Sequence, residues 1–213
     1  MAREFPDRIA AGCALGARLV STYAGRLDII VLGVSGGGVI VAAEVARALG
    51  LHCGVLAISR LTSPNLPDVP LGAVAAQGEG VVNQQVLRAE APTAADVAAE
   101  LGRARAAAAA IQREFPLPSL DSHTVLVIDD GAATGVTMRA AIAAVRAGDP
   151  AAVIVALPVA PRETCAILER ESDGVVCLRR PLLHRAVAWA YDDFGVVDMA
   201  ALRAAVRGNL GEG

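Results

Sequence analysis

The sequence predicts an α/β protein built on a doubly wound, mainly parallel sheet of about five strands with flanking helices, and three observations carry that prediction. Short uninterrupted apolar runs recur at 28–34, 53–59, 124–129, 152–158 and 174–178, each the length of a strand buried on both faces. Segments of helical periodicity separate them, which is the order that parallel crossovers require. The composition agrees: 54% of residues are hydrophobic but only 3% aromatic, so Val, Ile, Leu and Ala must fill the core. A chain of 213 residues can bury roughly 70% of its unfolded surface in one domain, and 1–213 is read as a single domain.

Each element has its own reason. Residues 7–23 set Ile9, Ala10, Cys13, Leu15, Ala17, Leu19 and Val20 among Arg8 and Arg18, a helix that stops at the YAG of 23–25. DIIVLGV (28–34), GGGVIVAAEVARALG (36–50) and CGVLAIS (53–59) then read as strand, helix and strand, the helix closing on Gly50. RLTSPNLPDVP (60–70) holds three prolines and no periodicity, so the chain should leave the sheet there, with short strands at 72–76 and 80–82. Thr93 is placed to cap an alanine-rich helix over 93–114. Further on come a strand at TVLVID (124–129), a helix near 135–147, a strand at AVIVALP (152–158) and a helix at 161–172 with Pro161 in its first turn. A strand at 174–178 and a helix near 198–206 complete the reading.

Charge narrows the function. A net charge of -3 and a pI near 5.6 give no general electrostatic case for nucleic acid or an anionic membrane surface. All 19 basic residues are arginine, which excludes a lysine Schiff base, a P-loop lysine and a lysine general acid. Cys13, Cys53, Cys165 and Cys177 form no CxxC and are read as small buried apolar residues. No apolar run reaches the roughly 18 residues of a membrane span, and the N-terminus MAREFPDRIA starts with charges. A cytoplasmic protein is expected. His52, His123 and His184 have no partner at metal or catalytic spacing and are read as surface or loop residues.

The stretch VLVIDDGAATGVTM (125–138) carries the chemistry. In an open parallel sheet, ligands bind beyond the carboxyl ends of the strands, and Asp129 and Asp130 stand where one strand should end. Gly131, Ala132, Ala133 and Gly135 lack the bulk that would keep backbone N–H groups from an anion, and a helix start follows. Thr134 and Thr137 add hydroxyls. Ionised carboxylates only accept hydrogen bonds, so the pair suits vicinal hydroxyls while the loop holds a phosphate; together they describe a ribose 5-phosphate. An N-capping Asp ahead of an ordinary helix would explain one acid, but neither the second nor the threonines.

With four apolar residues, two acids, two small residues and A-T-G-x-T, this stretch resembles the phosphoribosyl pyrophosphate signature of the type I phosphoribosyltransferases. VSGGG (34–38) stands where that family holds diphosphate, and consecutive glycines permit the close approach it needs. GGGVIVAAEVARALG, SRLTSPNLPDVPLGAVA and WAYDDF occur in the order found in one uncharacterised branch, so the resemblance spans roughly residues 5–207. It implies region 60–122 as an inserted loop, strand and helix segment, and 181–213 as a C-terminal hood or cover. It also implies transfer of phosphoribose from 5-phosphoribosyl 1-pyrophosphate to a nitrogenous acceptor, with Mg2+ as cofactor and a homodimer as assembly.

On that resemblance, Asp129 and Asp130 orient the ribose and touch magnesium through water, and Thr134, Gly135 and Thr137 hold the 5-phosphate with the rest of the 131–137 loop. Ser35, Gly36 and Gly37 hold the diphosphate, and Arg60 closes over it. Relatives often carry Pro-Arg-Gly-Gly in the first loop and Arg-Lys after the second strand; here Ser35-Gly36-Gly37-Gly38 and Ser59-Arg60 stand instead. Arg60 is the one cation between Arg47 and Arg88 and the candidate there to stabilise the leaving group. Ala133 replaces the Asp that serves purine ring nitrogen in hypoxanthine–guanine transferases, which disfavours a 6-oxopurine.

Trp189, Tyr191 and Phe194 either stack on an acceptor, with Trp189 the candidate, or cover one end of the sheet. Arg179 and Arg180 either reach a phosphate or form an exposed cationic pair. Two other functions compete. LGVSGGG at a strand–helix turn with Arg60 after the next strand hints at an NADP-type site, but the glycines do not give GxGxxG and the acid pair is left unexplained. A protein of the same fold that binds phosphoribosyl pyrophosphate or a nucleotide without turnover accounts for the missing Pro-Arg and lysine.

Overall fold

The structure is a computed structural model that describes residues 3–63, 69–182 and 186–209. Five parallel strands form the main sheet: β1 (Ile29–Val34), β2 (Cys53–Leu56), β6 (Thr124–Ile128), β7 (Ala152–Val159) and β8 (Gly174–Arg179), in the order β2-β1-β6-β7-β8. Alternation along each strand divides two cores. Ile29 and Val31 of β1, with Leu126 and Ile128 of β6, pack under α1 (Arg8–Tyr23) and α2 (Gly37–Leu49). Leu32, Val34, Val125 and Val127 point the other way, to α5 (Val136–Arg146) and α6 (Arg162–Glu171). The sheet is doubly wound, and its core is aliphatic.

The apolar run at 53–59 is two strands rather than one. Gln112 accepts the Ala57 N–H at 2.9 Å and donates to Val55 O at 3.0 Å, while the Ser35 hydroxyl bonds both the N–H and the C=O of Ile58. These side chains take over backbone groups that a continuing ladder would use, so the chain turns out of the main sheet at Ala57. It enters an antiparallel sheet of β3 (Ile58–Leu61), β4 (Gly72–Ala75) and β5 (Val81–Val82), in that order. The predicted short strands at 72–76 and 80–82 are thus β4 and β5. Leu61, Leu71, Val74 and Val86 with Ala104 make a small separate core there.

Between β5 and β6 in the chain come α3 (Gln84–Glu90) and α4 (Ala94–Glu114), and α4 packs on β3 and β4. Thr93 caps α4 in a reciprocal capping box with Asp96, as its position predicts. The sequence reading has no α3: two turns are too short to show a period, and the helix is started by Asn83, whose side chain accepts from Gln85 N and Val86 N. After β8 come a 3-10 turn (Val187–Ala190) and α7 (Met199–Asn209), which packs on α2 and β2. Part of the expected 181–213 cover, with His184, lies outside the described residues, as do residues 64–68 of the Pro-rich loop.

The cysteines depart from the reading of four buried side chains. Cys53 and Cys165 are buried and Cys177 partly so, but Cys13 is exposed on α1 beside Glu44. Among the described residues no helix is long and apolar enough to cross a membrane.

Candidate functional site

Residues Gly33 of β1 and Ile128 of β6 are partners in the parallel ladder, so the loops that leave these two central strands start side by side. They open into a cleft of ≈ 870 Å³ walled by Arg60 of β3, by Val69 and Pro70 ahead of β4, and by Val187, Phe194 and Val197 near the C-terminus. Arg8, Ser35, Gly36, Gly37 and residues 129–138 also line it. The cleft therefore collects Asp129, Asp130, Arg60, Ser35, Gly36, Gly37, Gly131, Ala132, Ala133, Thr134, Gly135 and Thr137.

Trp189 is not among them. It is 62% exposed and does not line the cleft. Its neighbours in sequence divide the expected work: Tyr191 is buried against Phe5 with ring centroids 5.7 Å apart, and Phe194 stacks on Tyr191 at 5.2 Å and reaches the cleft wall. Arg179 and Arg180 pair with Glu4 and Glu169 on the surface.

The helix starts show where free donors lie. α1, α3 and α4 begin under side-chain caps from Asp7, Asn83 and Thr93. Of the helices that begin at the cleft, α7 starts under the Asp198 side chain, which accepts from Ala201 N, whereas α2 starts on Gly36 (φ 96°) and α5 on Gly135 (φ 77°), with no side-chain cap at either. Apart from Val39 N, which donates to Gly36 O at 3.3 Å, their first-turn N–H groups have no acceptor within the helix, and they carry the positive end of its dipole. Around α5 the loop is held from below, because Ala132 N donates to Val159 O at 3.0 Å and the Thr164 hydroxyl donates to Ala133 O at 2.7 Å. Ser35 differs from its expected part in anion binding: its hydroxyl donates to Ile58 O at 2.9 Å and accepts from Ile58 N at 3.1 Å, which leaves no donor for a phosphate.

The two aspartates are only 7% and 6% exposed, yet their surroundings differ. Asp129 Oδ1 accepts the Asp130 N–H at 2.9 Å. Burial, and then the neighbouring charge of Asp130, hold its carboxyl well above the ordinary range, with the Arg60 cation acting the other way. Asp130 is paired: Arg8 Nε donates to Asp130 Oδ2 at 2.7 Å, with both side chains about nine-tenths buried. The Tyr191 hydroxyl donates to the Asp130 carbonyl at 2.5 Å, and burial raises its own pKa. The guanidinium of Arg8 also lies 3.7 Å from the centroid of Phe194 and donates to Gly195 O at 2.8 Å.

Arg8 is a site residue that sequence reasoning misses. In the linear pattern it is one polar position on an amphipathic helix, and its partner lies 122 residues away. Arg103, also on the cleft wall, is missed too; it pairs with Glu100 one turn earlier.

Fold and site together define a doubly wound α/β protein whose cleft sets paired carboxylates between two uncapped helix N-termini at the carboxyl edge of the sheet. The family model for the phosphoribosyl transferase domain matches residues 6–178, and the chain belongs to that family. It is similar to the TT1426 protein of Thermus thermophilus, known from a crystal structure, with 35% identity and a TM-score of 0.73 over 95% of this chain and 97% of that one. Two Mycobacterium tuberculosis proteins, from strains CDC 1551 and H37Rv and provisionally named as phosphoribosyl transferases, are each 34% identical over 194 residues. That match takes in 89% of this chain and 43% of theirs, so the chain spans less than half the length of these curated relatives.

Proposed function

We propose that this chain transfers the phosphoribosyl group of 5-phosphoribosyl 1-pyrophosphate to a nitrogenous acceptor with release of diphosphate. The observation that carries the reading is the meeting of the acid pair with two uncapped, glycine-started helices in one cleft. Backbone N–H groups at 133–137, with the Thr134 and Thr137 hydroxyls, take the 5-phosphate; those at Gly36 and Gly37, with Arg60, take the diphosphate. Asp129 and Asp130 accept from the ribose hydroxyls. The bond from the anomeric carbon to the diphosphate oxygen breaks, a bond to the acceptor nitrogen forms, and that nitrogen loses its proton. Positioning and electrostatic preorganisation drive such a displacement. The apolar wall of Val69, Pro70, Val187 and Phe194 suits a flat heterocyclic acceptor.

Magnesium fits this donor set. Among the described residues no group of three or more His, Cys, Asp or Glu forms a metal cage. Two neighbouring carboxylates suit an ion that keeps its waters and takes its remaining ligands from substrate phosphates, and Asp129 and Asp130 would hold it through water. When bound it neutralises charge on the departing diphosphate. The reading carries with it a homodimer, as the family resemblance implies, and the cytoplasmic location expected from the sequence.

A non-catalytic binder of the same ligand is the second reading, and the committed Ser35 hydroxyl favours it by thinning the donors at the diphosphate end. Melting curves with and without phosphoribosyl pyrophosphate and magnesium test the shared part. At about 100 times the dissociation constant, binding adds about 2.7 kcal/mol, or roughly 5–11 °C for a chain of this size. An Asp129→Asn, Asp130→Asn double variant should show no shift. Absence of a shift in the wild type removes both readings; a shift without diphosphate release from any acceptor leaves the binder.

A further inference from the structure

Arg8 has no part in the transfer reaction as proposed, yet its pairing with Asp130 is built from several contacts. Asp130 sits at the end of a central strand, where its only local side-chain partner is the adjacent Asp129 carboxyl. Two segments distant in sequence, 4–8 and 190–195, hold it. Arg8, in the first turn of α1, donates Nε to Oδ2 at 2.7 Å. Its Nη1 is fixed by Gly195 O at 2.8 Å, and the face of Phe194 lies 3.7 Å from the guanidinium carbon. The segment carrying Phe194 is in turn stitched to the N-terminus, where Glu4 N and Phe5 N donate to Ala190 O, Asp192 N donates to Phe5 O and Asp193 N to Pro6 O. Tyr191 then holds the Asp130 backbone from the same segment.

A guanidinium gripped on two sides is a fixed fork rather than a floating charge. Its hydrogen bond to Oδ2 settles both the rotamer of Asp130 and which oxygen is left over. Oδ1 is not used by Arg8, and Asp130 lines the cleft. The diphosphate-side loop is built around the same pair: a Cβ on Gly37 would lie 1.9 Å from Asp130 Oδ2 and 2.3 Å from Arg8 Nε. The first residue of α2 is thus kept bare so that the pair can pass beneath it.

We infer that Arg8 is a positioning residue for hydroxyl recognition: it aims Asp130 so that the carboxylate oxygen it does not hold meets a ribose hydroxyl. This rests on the reading of the acid pair as the ribose site, and the test separates the two. Titration calorimetry of the full chain, without metal, compares ribose 5-phosphate with its 2-deoxy and 3-deoxy analogues. A hydrogen bond to a charged acceptor makes the wild type prefer ribose 5-phosphate over at least one analogue by about tenfold or more.

In Arg8→Gln that preference should collapse to about twofold. The fall comes wholly from weaker ribose 5-phosphate binding, while the affinity for that analogue, which reports the phosphate loop, stays within about twofold of wild type. A purely structural role for Arg8 would lower all three affinities together and leave the preference intact, and that result overturns the inference alone. A wild type that shows no preference overturns the ribose reading, and this inference with it. Should Arg8→Gln not fold, Arg8→Lys carries the same test, since it keeps the charge but not the fork; an undiminished preference there overturns the inference equally.

Discussion

Substituting Gly37 by Ala adds one carbon to the tightest point of the site. That carbon would stand 1.9 Å from Asp130 Oδ2, 2.7 Å from Asp130 Cγ and 2.3 Å from Arg8 Nε. Restoring an ordinary separation of about 3.5 Å needs a movement of about 1.6 Å, more than a 2.7 Å charge-assisted hydrogen bond can absorb. The buried pair must part, which costs about 3–5 kcal/mol when one charge is left without its partner. Alanine in a first helical turn returns about 0.5–1 kcal/mol over glycine. The net loss is about 2–4 kcal/mol, and at roughly 2–4 °C per kcal/mol for a chain of this length calorimetry should record a melting point lower by about 5–15 °C. The double variant Gly37→Ala, Arg8→Gln identifies the cause: with the pair already broken, most of the added penalty disappears, a coupling of neighbours. If Gly37→Ala melts within about 2 °C of wild type, or if the two penalties simply add, the clash with the pair is not what glycine avoids there.

Two further outcomes follow from the same geometry. Glu100 accepts from Arg103 and from the backbone and hydroxyl of Thr62, and these bonds, led by Arg103, lower its pKa to about 2. A carboxylate depressed in the folded state stabilises above its unfolded pKa, near 4.5, and loses that contribution as the pH falls toward 2. After discounting for the largely exposed arginine, Glu100→Gln should cost about 1 kcal/mol in urea titrations at pH 7 and almost nothing at pH 2.5. Trp189→Ala, at an exposed position outside the cleft, should change stability by no more than about 0.5 kcal/mol and leave the affinity for phosphoribosyl pyrophosphate unchanged by calorimetry; a tenfold loss would return the indole to the site.

The sequence announces the main sheet because its strands are buried on both faces: an unbroken aliphatic run such as TVLVI has few other uses in a chain of this size. The acid pair and the loop after it are legible for a related reason, since their chemistry is local and their spacing is contiguous. What escapes is set by side chains that reach across the fold. The break at Ala57 depends on Gln112, 55 residues away, and no pattern within 53–59 announces it. The Ser35 hydroxyl is equally available to a phosphate or to Ile58 on paper, and only the turn of the chain at Ala57 brings Ile58 to it. Arg8 shows this at its strongest, because helical periodicity marks it simply as polar, and the contacts that give it meaning come from β6 and from residues 194–195.

Adjacent letters in a motif are not equivalent groups. Asp129 faces the start of α2, where a Cβ on Gly38 would come within 2.7 Å of its Oδ1, and its charge is opposed by burial and by its neighbour. Asp130, one residue on, meets a guanidinium brought by α1 and held by an aromatic ring. Two carboxylates this close in a poorly hydrated place cannot both be ionised at low cost unless something compensates. Arg8 compensates one of them permanently, and that confines the remaining strain to Asp129, where the Arg60 charge and the Asp130 N–H oppose it. A cation or a set of hydroxyls entering the cleft would relieve that strain. In this arrangement the protein supplies its own counter-charge to the acid that must keep its orientation and leaves the other to be satisfied by what binds.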